Sequence, residues 1–372
     1  MKKIAGIIIL AIISATCYSQ VVPKTIISAP AGDEYVFIRK NGQTILPNGR
    51  IISPSGKMHQ VAPHPYGLAI SNDGNIAITA NSGTNPLSIS ILKNIQTENP
   101  KIMQVPESPK GDKGIIESVF MGLAISPDNK IVYVAGGQAN KVYKFDIETG
   151  LTLGSIDCRF KSDQFDYSHG FIGDMVLSKD GRFLYTVDQI GFRMICIDTK
   201  LNKLISSCPV GRYPFGITLS KDENTVYVAN VGMYEYSYIK RKDKGVWQNT
   251  SVDKPAFAYD TPEAEKGFEN DSIQVKGLGP MNAPESFSVW AIQVSNPLKP
   301  KVFSKTKTGN PVGQLVDGVP AVGGSSPNSM VTAGNYVFIS NGNNDNITVL
   351  DSRNQNIITH IKLNTEEKLT KL

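Results

Sequence analysis

Cysteine and tryptophan are scarce in this chain, at 4 and 2 residues among 372. So few cysteines exclude a small scaffold framed by disulfides. Charge of one sign is also missing. The formal balance is +5 and falls to +3 without Lys2 and Lys3, too little and too dispersed for a nucleic-acid footprint. The densest basic stretch, Lys240 to Lys244, reads as a solvated loop. No Gly-x-Ser-x-Gly, His-Glu-x-x-His, P-loop or Cys-x-x-Cys pattern occurs, so no nucleophile elbow, zinc-helix or nucleotide motif is present and no cofactor is indicated. Long Ala/Glu/Lys-rich helical stretches are absent as well, whereas 33 Gly and 22 Pro supply frequent turns. The longest apolar run, Ile4 to Ile13, is too short to anchor the chain across a bilayer.

That run follows Lys2 and Lys3 and precedes the small residues up to Ser19, the pattern of a secretory signal peptide over 1–19. Export to the periplasm or beyond is the expectation, with no transmembrane segment after cleavage. A lipid-modified Cys17 fits less well, because Thr16 and Ser14 suit that signal poorly. Cys196 and Cys208 flank a hairpin turn near Lys200 and could face each other. Free, buried thiols are the favoured reading, and a bridge stays open.

What the chain does have is a repeat. An apolar strand runs to a tight polar turn, and a second strand closes on Asn, Asp or Gly. The copies begin at Gly67, Gly122, Asp174, Gly216 and Asn328, and their second strands end at Asn81, Gly136, Asp188, Asn230 and Asn341. In four copies a Ser stands ten residues before that last position: Ser71, Ser126, Ser178 and Ser220. The fifth has Thr332, nine before Asn341. The closing Asn is expected to bond local backbone. Alternating third and fourth strands follow, as at Lys141 to Asp146 and Asn346 to Asp351. Four short antiparallel strands per copy make a propeller blade. The fold class is therefore all-β, a β-propeller.

Tyr227-Val-Ala-Asn230, Phe338-Ile-Ser-Asn341 and Ile78-Thr-Ala-Asn81, each after a Ser-x-Asp-Gly-like turn, resemble the YVTN-repeat, YncE-like (lactonase-like) β-propellers. The segment from Leu46 to Lys57, running into Pro65 to Ser71, is similar to a narrower group. In that group an exported propeller precedes a phosphoesterase domain of the alkaline phosphatase superfamily. The broad resemblance implies a seven-bladed type. Five full blades and one outer half are present, and 364–372 is too short and charged to supply missing inner strands. An incomplete propeller without its phosphoesterase domain is the resulting expectation. A six-bladed ring that uses Glu34 to Arg39 is the alternative. The divisions are 1–19 signal, 20–44 lead-in, 45–363 propeller with an insertion at 231–286, and 364–372 tail.

The turns between first and second strands are tight, and the chain spends its extra residues on the opposite face: 106–118, 157–170, 231–286 and 311–326. Long loops on a rigid scaffold carry recognition. On that face the residues preceding each first strand approach the central channel, giving His64, Tyr66, His169, Arg212, Tyr213 and Asn328 as candidate ligand-binding residues at its mouth. The aromatic insertion adds Tyr234, Tyr236, Trp247 and Tyr259 as a cap. A small molecule, a glycan or a protein is the expected partner, with no nucleic acid. No catalytic or metal-ligating set emerges. The leading reading is a non-catalytic binding or scaffold module, and the alternative is a metal-dependent lactonase-type hydrolase that uses the channel histidines.

Overall fold

The computed structural model describes residues 28–363 apart from 40–41, 84–85, 108–115, 253–260 and 317. The expected signal segment at 1–19, Cys17, Tyr259 and the 364–372 tail lie outside those residues. The chain divides into two compact units, Met1–Gln60 and Val61–Leu372. The first holds β1 (Phe37–Ile38), β2 (Thr44–Ile45) and β3 (Ile51–Ile52), an antiparallel sheet in that order. The expected outer pair of strands at 45–62 is therefore a three-stranded sheet of two-residue strands, joined by a segment from within Glu34 to Arg39.

The second unit is a β-propeller of five four-stranded antiparallel blades. Blade one is β4 (Pro65–Ile70), β5 (Ile76–Asn81), β6 (Ser88–Lys93) and β7 (Lys101–Val105). Blade two is β8 (Leu123–Ile125), β9 (Ile131–Ala135), β10 (Lys141–Asp146) and β11 (Thr152–Asp157). Blade three is β12 (Ile172–Leu177), β13 (Phe183–Asp188), β14 (Arg193–Asp198) and β15 (Lys203–Pro209). Blade four opens with β16 (Pro214–Leu219) and β17 (Thr225–Asn230). The insertion intervenes with β18 (Tyr238–Asp243), β19 (Val246–Val252), α1 (Pro262–Lys266), β20 (Gly267–Glu269) and β21 (Ile273–Lys276). Blade four then closes with β22 (Ser288–Gln293) and β23 (Lys301–Lys307). A small hairpin, β24 (Leu315–Val316) with β25 (Val319–Pro320), leads to blade five. That blade is β26 (Pro327–Ala333), β27 (Tyr336–Asn341), β28 (Asn346–Asp351) and β29 (Ile357–Lys362).

The recurring Ser-x-Asp turn has a physical cause in four of the copies. Ser71 Oγ donates to Asp73 at 2.5 Å and accepts from the Ile76 backbone N–H at 2.9 Å. The same pair of bonds recurs at Ser126/Asp128/Ile131, Ser178/Asp180/Phe183 and Ser220/Asp222/Thr225. Such local bonds fix the hairpin that joins the first two strands. In the shortened fifth copy, Thr332 Oγ1 instead donates to the Leu219 carbonyl of blade four at 2.7 Å.

Successive blades touch through their first strands, β4 to β8 to β12 to β16 to β26, so these strands form the hub. Glycine opens three of the copies because the hub is tight there. A Cβ at Gly67, Gly122 or Gly216 would collide with the carbonyl oxygen of Met121, Gly173 or Asn328 on the next blade. The cores lie between blades. Ile78, Ile89 and Ile91 pack on Val132, Val134 and Phe145; Tyr133 and Val142 pack on Leu184 and Ile195; and the series continues to blade five. The position held by Tyr133, Tyr185 and Tyr227 faces the following blade and is at most 4% exposed. In blade five that position is Phe338, which is only half-buried, and Val331 beside it in the sheet is 59% exposed. On the far side of blade one, Leu68 and Ile70 are exposed as well.

The closing Asn is structural, though its bonds are not the expected local ones. Asn81 Nδ2 donates to Ser88 and Ser90 on the third strand, and Asn341 Nδ2 donates to Asn346 and Thr348. Asn230 does reach backbone, at Ser288 O and Val228 O. In blade three Asp188 takes this place and forms a fully buried pair with Arg193 at 3.0 Å. Cys158, Cys196 and Cys208 are free and buried. Cys208 sits opposite Met194 rather than Cys196, a two-residue offset across the hairpin.

Candidate functional site: the mouth of the propeller hub

Three blades enter their first strand through a residue, a proline and then the inner strand: His64-Pro65, Tyr213-Pro214 and Ser326-Pro327. Each residue before the proline has a left-handed backbone, with φ of 56°, 48° and 51°. Sterics disfavour that region for side chains other than glycine. Each also hands its carbonyl to the N–H just past the closing Asn of its own blade: His64 O to Ser82 N, Tyr213 O to Val231 N and Ser326 O to Gly342 N. The strained residue is therefore pinned between two strands, and strain of this kind concentrates at sites of recognition.

The turns bring a chain of rings together. His64 and Tyr66 stack at 5.7 Å with planes 6° apart. Tyr66 lies 5.3 Å from Phe120, which meets Phe171 edge-on at 4.9 Å and Phe215 at 6.2 Å. Four blades thus contribute to one aromatic cluster, in which Tyr66 is 49% exposed and Phe120, Phe171 and Phe215 are half-buried. A second group joins Phe192 to Tyr213 at 4.8 Å and Tyr213 to Tyr236 of the insertion at 6.4 Å.

The candidate residues take different positions. His64 is exposed, with Nδ1 2.8 Å from Ser82 Oγ. His169 is exposed and makes no hydrogen bond or ring contact among the described residues. Arg212 is buried. Its Nη1 donates to the carbonyls of Met233 and Pro280 and to Ser286 Oγ, so it fastens both roots of the insertion. Asn328 accepts from Ser340 Oγ at 2.7 Å. Within the insertion, Tyr234 is buried with Ala264 and Leu278 in a small core. Tyr236 is exposed, and half-buried Trp247 lies beneath Lys242 Nζ at 5.6 Å. Lys307 supports the same roots by donating to Ala283 O and Ser286 O, and burial pulls its ammonium down to about 8.

Sequence reasoning missed Asp174. It occupies the repeat position that is glycine in three copies, and that departure was the available signal. Its carboxylate accepts from its neighbour Met175 N at 2.9 Å and from Ile217 N, on the next blade's inner strand, at 3.3 Å. Burial dominates over these two bonds and pushes the carboxyl up to about 6. Among the described residues no three His, Cys, Asp or Glu side chains cluster at metal-binding distance, and no helix is long and apolar enough to cross a membrane.

No family model and no curated protein sequence matches the chain. Solved structures do. A functionally unknown protein from Desulfotomaculum acetoxidans is 14% identical, with 85% of this chain and 76% of that chain covered at a TM-score of 0.48. The β-propeller domain of Cps50 (Swd1) from Myceliophteria thermophila is 10% identical, with coverages of 83% and 89% and a TM-score of 0.40. The periplasmic gluconolactonase of Pseudomonas aeruginosa is 12% identical, with coverages of 91% and 95% and a TM-score of 0.39. Likeness at this level concerns fold alone, and the propeller assignment stands on the blades described above.

Proposed function

We propose that the chain is an exported, non-catalytic propeller that binds a small molecule or glycan at the mouth of its hub and serves a linked phosphoesterase domain. The observation that carries this reading is the cluster of Tyr66, Phe120, Phe171 and Phe215, drawn from four blades and held beside pinned, strained turns. Half-exposed aromatic faces suit stacking on a planar or sugar ring. Polar groups nearby are largely committed to scaffold: Arg212 to the insertion and Asn328 to Ser340. The N-terminal pattern supports export, and the resemblance of 46–71 supports the phosphoesterase link. Saturation-transfer NMR with mono- and oligosaccharides tests the mouth. Phe120→Ala should abolish transfer to the ligand, and unchanged transfer would sink the reading.

A lactonase-type hydrolase is the second reading. Asp174 favours it, because a carboxyl near 6 at the hub is suited to proton transfer near neutrality. His64 and His169 would assist. Turnover of a δ-lactone with added divalent metal, lost in Asp174→Asn and His64→Ala, would replace the binding reading with this one.

A further inference from the structure

The insertion in blade four carries a cavity whose lining includes none of the residues at the mouth. Its strands form their own antiparallel sheet in the order β19-β18-β21-β20. One row of paired residues crosses all four strands: Asn249 opposite Lys240, Lys240 opposite Gln274, and Gln274 opposite Glu269. Side chains in such a row share one face of the sheet. This row lines a cavity of about 590 Å³, together with Lys266 from the end of α1 and Lys276, two residues beyond Gln274 on the same face. The volume falls in the range of small-ligand sites, roughly 300–1,000 Å³.

The charges in the cavity are unbalanced. Lys276 is paired with Glu235 at 2.7 Å, and the Glu269 carboxylate accepts from Gln274 Nε2 at 2.9 Å and keeps its charge, so Lys240 and Lys266 leave the lining with an excess of positive charge. The ammonium groups of Lys240 and Lys266 have no ion-pair or hydrogen-bond partner among the described residues. Ser237, also in the lining, has a buried hydroxyl with no hydrogen-bond partner there. Two uncommitted ammonium groups in a concave site call for an anion. The Gln274–Glu269 and Asn249 groups offer acceptors and donors for hydroxyls, and exposed Tyr238, two residues before Lys240 on the same face, adds a ring to the wall.

We propose that this cavity binds an acidic saccharide, its carboxylate or sulfate held by Lys240 and Lys266 and its hydroxyls by Asn249, Gln274 and Glu269. The test is calorimetric titration of the intact protein with tri-galacturonate, galactotriose and inorganic phosphate. Tri-galacturonate should bind saturably, and rising salt should weaken it. The double variant Lys240→Gln/Lys266→Gln should weaken binding by roughly tenfold or more, as loss of two charge-assisted contacts requires. Its circular dichroism melt should match the parent, because neither lysine is engaged elsewhere. Phe120→Ala should leave this binding intact, which separates the cavity from the hub mouth. No saturable binding, an unaffected double variant, equal affinity of the Phe120→Ala protein for galactotriose, or phosphate binding as tight as the uronate would each overturn the assignment.

Discussion

Asp174 Oδ2 stands 3.3 Å from the backbone nitrogen of Ile217, so a carboxyl of blade three is bonded to the inner strand of blade four. Burial outweighs that bond and holds its proton to about pH 6, above the ordinary value of 3.8. A group raised in the folded state contributes fully below its unfolded pKa and loses that contribution as pH rises through the folded one. Asp174 therefore weakens the fold progressively between about pH 4 and pH 6. Asp174→Asn should stabilise the protein at pH 8 by about 1–3 kcal/mol and leave it unchanged near pH 4. Urea melts at both pH values check this; an equal gain at both would contradict it.

The Ser-x-Asp turns act in the opposite direction. In Asp128 and Asp222 the neighbouring Ser hydroxyl is the main cause of a carboxyl held below 3.8. Their contribution is present above the unfolded pKa and disappears as pH falls through the folded one. Ser126→Ala removes the 2.6 Å bond to Asp128 and the 2.9 Å bond from Ile131 N. A loss of about 1–2 kcal/mol is expected at pH 7, shrinking in acid, and paired denaturant titrations measure it.

Equivalent repeat positions should not be energetically equivalent. Tyr227 is 1% exposed between blades four and five, and its hydroxyl accepts from Gln355 at 3.3 Å. Tyr227→Ala should cost about 3–5 kcal/mol. Phe338→Ala, at the same place in a blade with an exposed face, should cost less than half of that. Thermal melts of the two variants, read side by side, decide it; equal losses would show that Phe338 is covered.

Arg193 and Asp188 are buried together. The guanidinium also donates to Cys158 O at 2.7 Å and lies 3.9 Å over the Tyr167 ring. Arg193→Ala strands a buried carboxylate that also caps Phe171 N and Gly191 N. The expected loss is about 3–5 kcal/mol. Adding Asp188→Asn to that variant should recover part of it, and a double-mutant cycle reads the coupling.

Burial pushes the Cys158 and Cys196 thiols up to about 12, and Cys208 is raised too. Thiolate is the reactive form, so a disulfide reagent should label none of the three until the protein unfolds. Rapid labelling of native protein would refute the burial of these hairpins.

Much of the blade could be read directly. The ten-residue spacing from Ser71 to Asn81 encodes a local hairpin, and the side-chain bonds of Ser71 at its turn span at most five residues, so adjacent sequence suffices to specify it. Between Asn230, where β17 ends, and Ser288, where β22 begins, the chain leaves the blade pattern. Less was legible at the site. Arg212 is a candidate from its place before an inner strand, and its hydrogen-bond partners Met233 and Pro280, 21 and 68 residues away, are not legible from that place. The aromatic composition of the insertion does not tell core from surface, and the fold places Tyr234 in a core with Ala264 and Leu278.

The sequence by itself determined the repeat and the four-stranded blade, because period-2 patterning and turn chemistry act over a few residues. Only the tertiary structure decided which rings meet at the hub, why glycine yields to Asp174 there, and which lysines of the insertion stay uncommitted. Those outcomes depend on contacts between blades and on competition for partners distant along the chain, and no local pattern records either.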